Sequence, residues 1–430
     1  MKEDLLHFIW RYRLYDSHDL RTTDGQRIEV IQPGSVNTDA GADFSSARIR
    51  IGQVMLAGNV EIHVEQNGWY THHHNEDKAY NNVILHVVYE DSGKPARTQS
   101  DQLIPVLCLK DYISAELLHR YDLLREKGNK IPCESMIGRL SPDFSFSSFY
   151  DRLVIERLQS KVAVVEGMLG DSTHDWDQVA FRMVAMYFGG PVNKEPFGLL
   201  ASSLPLQVIH KHRSEPMQIE ALLFGQAGML DTDYDDEYPR MLKREYTYLR
   251  KLHSLAPMEE SAWKFFRVRP ASFPTIKIAQ IAAWLIREVH PFSAVMDGKN
   301  IAELRNLFDV EVNPYWQTHF QFDKPVKKAI AAPGNMLTDV LLINAVVPLV
   351  FSYGRYKDEE DICRRALELL MEIPAEKNAV VRMWDAMGIK AGSANDTQAL
   401  LQLYNQYCLG KRCLSCQIGH KILSPASVSI

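Results

Sequence analysis

The stretch ARIRIGQVMLAGNVEIHV, residues 47–64, decides the architecture of the first part of the chain. Apolar and polar side chains alternate on both sides of Gly52, the period of two that a half-buried strand requires. The stretch therefore reads as two strands joined near Gly52, with a second break at Gly58 and Asn59. Upstream, GQRIEVIQPG (25–34) starts as an alternating strand and stops at a Pro-Gly turn. Downstream, NVILHVVYE (82–90) is a β-branched run closed by Asp91, Ser92 and Gly93. Between them NGWYTHHHNEDKAYN (67–81) is too polar for a strand and long enough for a turn plus a short helix. A strand, a helical crossover and a near-continuous apolar strand predict a parallel pair in a small mixed α/β sheet.

After about residue 110 the period changes to that of helices. LKDYISAELLHRYDLLREKG (109–128), DRLVIERLQSKVAVVEGML (151–169), WDQVAFRMVAMYFG (176–189) and YPRMLKREYTYLRKLH (238–253) all follow it. In IKIAQIAAWLIREVH (276–290), Ile278, Ile281, Ala282 and Leu285 share one face. QIEALLFGQAGML (218–230) reads as a packed helix ending in glycine, with Glu220 as a buried acid. The expected fold is an α/β domain over 1–130, followed by a mostly α-helical domain over 131–430 that carries a C-terminal cysteine cluster. Segment 127–150, with Gly128, Pro132 and Pro142, reads as the linker.

A chain of 430 residues with 46% hydrophobic and 24% charged side chains has material for two ordinary cores. No run of 18 apolar residues occurs, and Met336 to Phe351, broken by Thr338, Asp339, Asn344 and Pro348, reads as a buried helix. The acidic N-terminus is unlike a signal peptide, and six sparse cysteines suit reduced thiols. The expected setting is the cytoplasm, without a membrane. A net charge of −6 argues against binding nucleic acid by bulk charge and leaves only a local basic groove for it.

The chemistry-bearing residues begin with Asp43, just before a strand in GADF, and with Glu61 and His63 in GNVEIHV. Strand alternation puts Glu61 and His63 on one face and Val60, Ile62 and Val64 on the other. If the two strands pair, Asp43 lies beside Glu61. Two carboxylates about 5 Å apart at an effective dielectric near 20 repel by roughly 3 kcal/mol, so one takes a proton or a cation joins them. Oxygen ligands favour Mg²⁺ or Mn²⁺, and such a cation is what phosphodiester hydrolysis uses. The plainer alternative has Asp43 capping a turn, Glu61 paired with Arg48 or Arg50, and His63 in solvent.

An Asp at one strand, a Glu-x-(basic) on the next after a hairpin, then a crossover and another strand resembles the restriction-endonuclease-like PD-(D/E)xK nucleases over about residues 25–110. That resemblance implies a metal held by Asp43 and Glu61, with His63 standing where those enzymes have lysine to steady the water or phosphate. A neutral imidazole supplies less positive charge there than an ammonium. Over the whole chain, GADF, GNVEIHV, AYNNVILHVVYE, QIEALLFGQAG, RVRPASFPT and KRCLSCQIG together resemble an uncharacterised bacterial family, a domain of unknown function. That second resemblance implies no activity.

His72, His73 and His74 precede Glu76 and Asp77, with His86 on the following strand. Consecutive histidines cannot all enter one site, so one or two serve at most. His74 and Asp77, three apart, are the expected contributors, and with His63 or His86 they make a Zn²⁺ site or a general base. In PGSVNTDAG (33–41), Asn37 and Asp39 either orient a water or build turns, and Glu29 is a further acid on the preceding strand. Cys408, Cys413, Cys416 and His420 have the spacing to wrap a Zn²⁺. The three thiolates with a distant fourth could instead hold an iron–sulfur cluster, and reduced thiols without metal are the simpler alternative.

From Ser261 to Arg287 there is no acid, while Lys264, Arg267, Arg269 and Lys277 alternate with Trp263, Phe265, Phe266 and Phe273. This is the expected nucleic-acid contact, with rings as stacking platforms; an aromatic core with paired arginines is the alternative. Three functions follow: a metal-dependent nuclease or nuclease-derived nucleic-acid-processing protein, a non-catalytic interaction module with a degenerate nuclease fold, and a zinc hydrolase built from the histidines. Nuclease activity that needs Glu61, Zn²⁺ binding that needs His74, and binding that needs neither acid separate them.

Overall fold

In the first helix, α1 (Glu3–Tyr12), Leu5, Leu6, Phe8, Ile9 and Trp10 are all buried. Glu3 and Asp4 occupy its first turn, where acids suit the positive end of the helix dipole. The computed structural model describes residues 1–140, 146–288, 290–327 and 332–424. After α1 come β1 (Ile28–Gln32), β2 (Ser35–Val36), β3 (Phe44–Ile51) and β4 (Val54–Glu65). A short helix α2 (Gly68–Thr71) and two 3₁₀ turns lead to β5 (Val83–Glu90). The small pair β6 (Ala96–Arg97) and β7 (Leu103–Ile104), then β8 (Val106–Cys108) and α3 (Ala115–Arg125), follow.

The sheet runs β1-β3-β4-β5-β8, with β2 beside β3. β1, β3 and β4 are antiparallel neighbours, whereas β4 and β5 are parallel, as are β5 and β8. The parallel pair expected from the crossover is present. α1 packs across β4, so both faces of that strand are covered, and Val60, Glu61, Ile62 and His63 are all buried. Gly58 does not break the strand as expected. A side chain there would stand 2.5 Å from Ile84 Cγ2 and 2.6 Å from the Asn82 carbonyl, so the glycine permits close approach of β5. The register of β4 against β5 does slip beside it, between Asn59 and Val60, and a second irregularity lies on β3. Register slips between Phe44 and Ala47, with Ser46 at φ 59°, a bulge three residues from Asp43.

The chain divides into two units, Met1–Phe146 with Leu403–Ile430, and Ser147–Gln402. The boundary expected at residue 130 therefore lies near 146, and the cysteine-bearing C-terminal segment belongs to the first unit, not the helical one. Hydrogen bonds explain the return. Arg120 donates to the carbonyls of Ile422 and Ser424 at 3.1 and 3.3 Å, and Lys411 Nζ donates to those of Arg125 and Glu126 at 2.8 and 2.6 Å. These carbonyls end helices and have no partner within them. Of the expected linker, residues 134–139 form a 3₁₀ helix and a long helix already begins at Phe146; Pro142 lies outside the described residues.

Among its described residues the second unit is helical, with one short hairpin, His319–Gln321 and Lys324–Pro325. All the helical stretches read from the sequence form helices there or, for α3, in the first unit. Helix Asn335–Lys357 is long and apolar enough to cross a bilayer, and 67% of its apolar window is buried inside the protein. Glu220 is buried at 6% exposure in helix Pro216–Gln226, where Asn313 Nδ2 donates to it at 3.2 Å. Burial pushes its carboxyl up to about 7, from 4.5. A raised carboxyl binds its proton more tightly in the folded state. Its contribution is thus complete below about pH 4.5 and is lost as pH rises through 7. The loss is on the order of 3 kcal/mol. Glu220→Gln is expected to flatten this slope in urea titrations between about pH 5 and 8; an unchanged slope relative to the parent protein refutes the assignment.

Candidate active site

β4 builds the centre of the site. Glu61 and His63, two apart, point to the same side, and His63 Nε2 lies 3.7 Å from Glu61 Oε1. Asp43 precedes β3 and meets Glu61 through the backbone: its N–H donates to Glu61 Oε2 at 3.1 Å, while its own Oδ2 accepts from the N–H of Ile62 at 2.9 Å. The two acids sit together. Among the described residues, their ion-pair partners are all histidines, with no arginine between them. His7, from α1, places Nε2 3.4 Å from Asp43 Oδ2. Glu29 is elsewhere, paired with Arg50 at 2.5 Å.

The crossover supplies the remaining imidazoles. His73 takes a left-handed φ of 60° and points to solvent toward Glu76. The reversal there brings both of its neighbours to the His63 ring. His72 Nδ1 lies 3.1 Å from His63 Nε2, and His74 Nε2 lies 3.0 Å from Glu61 Oε1. His63, His72 and His74 each offer a nitrogen within 4.8 Å of the others. Two of three consecutive histidines thus reach one site, because the chain turns instead of continuing as a helix. Asp77 does not join them. Its carboxylate accepts from the N–H of Ala79 at 2.9 Å and caps a 3₁₀ turn in solvent. Asn37 likewise builds a turn, accepting from the N–H of Asp39 at 3.0 Å.

Packing holds the rings in place. Trp69 is fully buried and meets His74 and His86 at 5.4 and 5.3 Å between centroids. Tyr80 stacks on His74 at 3.8 Å. His86, fully buried on β5, holds His63 Nδ1 through its own Nε2 at 2.9 Å. Gly68 must lack a side chain, because a Cβ would stand 2.6 Å from His63 Cδ2.

Burial, then the neighbouring His86, His74 and His72, push His63 down to about 3. Burial and His74 do the same to His86. Both rings are neutral at pH 7, so His63 cannot stand in for a lysine's positive charge; a neutral imidazole is a metal ligand. Burial raises the Glu61 carboxyl, with His74 opposing and Asp43 adding to the rise. For His7, burial acts downward but is outweighed by Asp43, Glu3 and Glu61, and the net shift is upward. Three imidazole nitrogens within 4.8 Å of one another, with Glu61 Oε1 3.0 Å from that of His74, are donors that suit a borderline divalent ion such as Mn²⁺ or Zn²⁺ better than Mg²⁺, which prefers oxygen alone.

His7 also lines a cavity of about 450 Å³ within the first unit. Arg11, Arg125, Lys411 and Arg412 line it too, against a single acid, Asp4. Sequence reading missed Arg11, Arg125 and His7 and took Lys411 and Arg412 only as neighbours of the cysteines, since the lining comes from segments far apart in the chain with no local motif.

The other expected residues divide. Lys264, Arg267 and Arg269 are exposed, and Phe266 beside them is 81% exposed with the Arg267 guanidinium 5.3 Å from its ring centre. Lys277 is not available to a polyanion. It lies on the packed face of helix Pro274–Arg287, 8% exposed, with Nζ donating to Gln280 at 3.1 Å. Trp263 is also buried, its indole donating to the Ala227 carbonyl at 2.8 Å. His420 sets its ring edge-on to Tyr12 at 4.2 Å and to Phe8 at 5.5 Å, and its Nε2 is buried with no hydrogen-bond partner among the described residues.

No curated protein and no solved structure matches the chain. A family model matches residues 3–379, which takes in both the acid–histidine site and most of the helical unit while stopping short of the C-terminal cysteines. The chain therefore belongs to the family described as protein of unknown function (DUF2851).

Proposed function

We propose that this protein is a divalent-metal-dependent phosphodiesterase acting on nucleic acid. The observation that carries the proposal is the meeting of the buried Glu61, His63 and His74 with the half-buried Asp43 and the exposed His72, with no arginine or lysine ion-paired to either acid among the described residues. Further support comes from the order of elements. Asp43 stands before one strand, Glu61-x-His63 on the next, and a crossover and a parallel strand follow, which is the layout that the nuclease resemblance implies. The imidazole set departs from that resemblance and favours Mn²⁺ or Zn²⁺.

His63, His74 and Glu61 would hold the cation, with His72 at the exposed side and Asp43 beside Glu61. When bound, such an ion lowers the pKa of water and neutralises charge on a phosphate oxygen. His86 fixes the orientation of the His63 ring, as partners of metal-binding histidines generally do. Asp43 makes His7 hold a proton more tightly than a free imidazole does, and His7 lines the cavity, so it is placed to protonate the departing oxygen. Arg11, Arg125, Lys411 and Arg412 give that cavity the charge to bind a phosphate backbone despite the chain's overall −6.

A specific observation favours a second reading, a non-catalytic module. Each carboxylate already accepts a backbone N–H, a bond that suits a structural acid. Incubating the purified chain with labelled single- and double-stranded DNA and RNA decides between them. Cleavage that needs Mn²⁺ or Zn²⁺, stops with chelator and weakens severalfold in Arg412→Glu supports hydrolysis. Binding without cleavage in any of these metals supports the module.

A further inference from the structure

We propose that the cavity between α1, α3 and the loop at residues 410–415 takes an unpaired strand of nucleic acid, which makes single strands, and not duplexes, the substrate class of this protein. The inference deepens the function proposed above and rests on it for the chemistry; strand binding itself is measurable without cleavage. The cavity encloses about 450 Å³. Pockets of roughly 300–1,000 Å³ take a drug-sized molecule, a scale that one or two nucleotides share. A duplex, whose major groove alone is about 12 Å wide, is too broad to enter a space of this volume. The chemistry nevertheless lies inside. His7 forms part of the wall and sets Nε2 3.4 Å from Asp43 Oδ2, while Glu61 and His63 are 4 and 3% exposed. A phosphate must come below the surface to meet them, as it does on a strand freed from its partner.

The wall supplies what an unpaired nucleotide needs. Arg11 lies 5.2 Å from the ring centre of Tyr12, and Arg125 lies 5.6 Å from that of Tyr121. All four line the cavity. Tyr12 is 40% exposed, which leaves ring surface free to stack on a base. Tyr121 is buried, and its hydroxyl accepts from Arg125 at 3.4 Å, so it holds that guanidinium in place. Among the described residues, the arginines ion-paired to acids are others than Arg11, Arg125 and Arg412. Their charge is therefore available to phosphates. Lys411 is engaged, its Nζ donating to the carbonyls of Arg125 and Glu126, and it fixes the loop that carries Arg412 against the end of α3. An aromatic face beside unpaired guanidinium groups recognises what every nucleotide of a single strand offers, a base face and a phosphate.

The test is binding to the full chain in chelator, where metal-dependent hydrolysis stops. The probes are a labelled oligothymidylate of about ten nucleotides, within the span that single-strand sites cover, and the same strand annealed to its complement. The single strand is expected to bind at least about tenfold tighter than the duplex at one fixed salt concentration. Tyr12→Ala should weaken single-strand binding about tenfold, and Tyr12→Phe, which keeps the ring, should bind like the parent. Should the alanine variant not fold, the exposed Arg412 carries the test: Arg412→Ala should weaken binding severalfold and flatten its salt dependence. Thymidine monophosphate should compete poorly with the longer strand. Duplex binding as tight as single-strand binding, parent affinity in Tyr12→Ala or Arg412→Ala, loss of binding in Arg267→Glu instead, or monophosphate competing as well as the oligonucleotide would overturn the inference. Single-strand binding without cleavage in any metal refutes the phosphodiesterase while the strand site stands, and cleavage confined to duplex does the reverse.

Discussion

Glu61→Gln is expected to lower metal-dependent phosphodiester hydrolysis by about 10²–10⁴-fold, the range that loss of a positioned acid–base or charge-bearing group produces. The amide keeps the size and still accepts the Asp43 N–H that Glu61 Oε2 receives at 3.1 Å. What it removes is the charge. Glu61 is 4% exposed, faces His74 Nε2 at 3.0 Å, and has its carboxyl raised by burial and by Asp43. A neutral group there relieves that burial cost, so thermal stability should hold or rise while activity falls. Affinity for Mn²⁺ should drop by at least about tenfold. Calorimetric titration with Mn²⁺, a melting curve and initial rates separate the two roles. Activity and Mn²⁺ affinity both within threefold of the parent would mean that Glu61 only ties β4 to the segment before β3.

Trp69→Ala is expected to have the largest effect on stability, about 3–5 kcal/mol, the usual cost of emptying a buried tryptophan site. Trp69 is fully buried with Ala42, Val83, Ala96 and Ile104 around it, and its indole N–H donates to the Arg97 carbonyl at 2.8 Å. Removing it leaves that carbonyl without its partner and takes away the ring that meets His74 and His86. Stability and metal binding should therefore fall together. Trp69→Phe restores most of the packing without the hydrogen bond and should recover all but about 1 kcal/mol of the loss. Denaturant titration of both variants checks this. A loss below about 1 kcal/mol in the alanine variant would show that the crossover does not depend on its tryptophan.

The legible part of the site was the part fixed by strand geometry. Glu61 and His63 share a face because side chains two apart on a strand always do, and Asp43 lies beside Glu61 because an antiparallel hairpin brings the start of one strand to the end of the next. His74 was legible as one member of a run of histidines, but its neighbour His72 was not distinguished from Asp77. The choice depends on a left-handed turn at His73, which no propensity rule assigns to histidine. Lys277 read as a surface cation because an acid-free stretch hides which side of a helix is packed.

The sequence by itself determined the period of each element, and through it the mixed sheet, the parallel crossover and the helices that follow. These are properties of neighbours in the chain, set by sterics and by which face must leave water. The tertiary structure alone decided that His7 from α1 reaches Asp43, and that four cations from α1, α3 and the C-terminal segment line one cavity. It also decided that the segment from Leu403 onward returns to the first unit, so that Cys408, Cys413 and Cys416 belong to the same unit as Cys133. Contacts between distant segments follow from how whole faces pack and which terminal carbonyls find donors, and a single sequence carries no local trace of them.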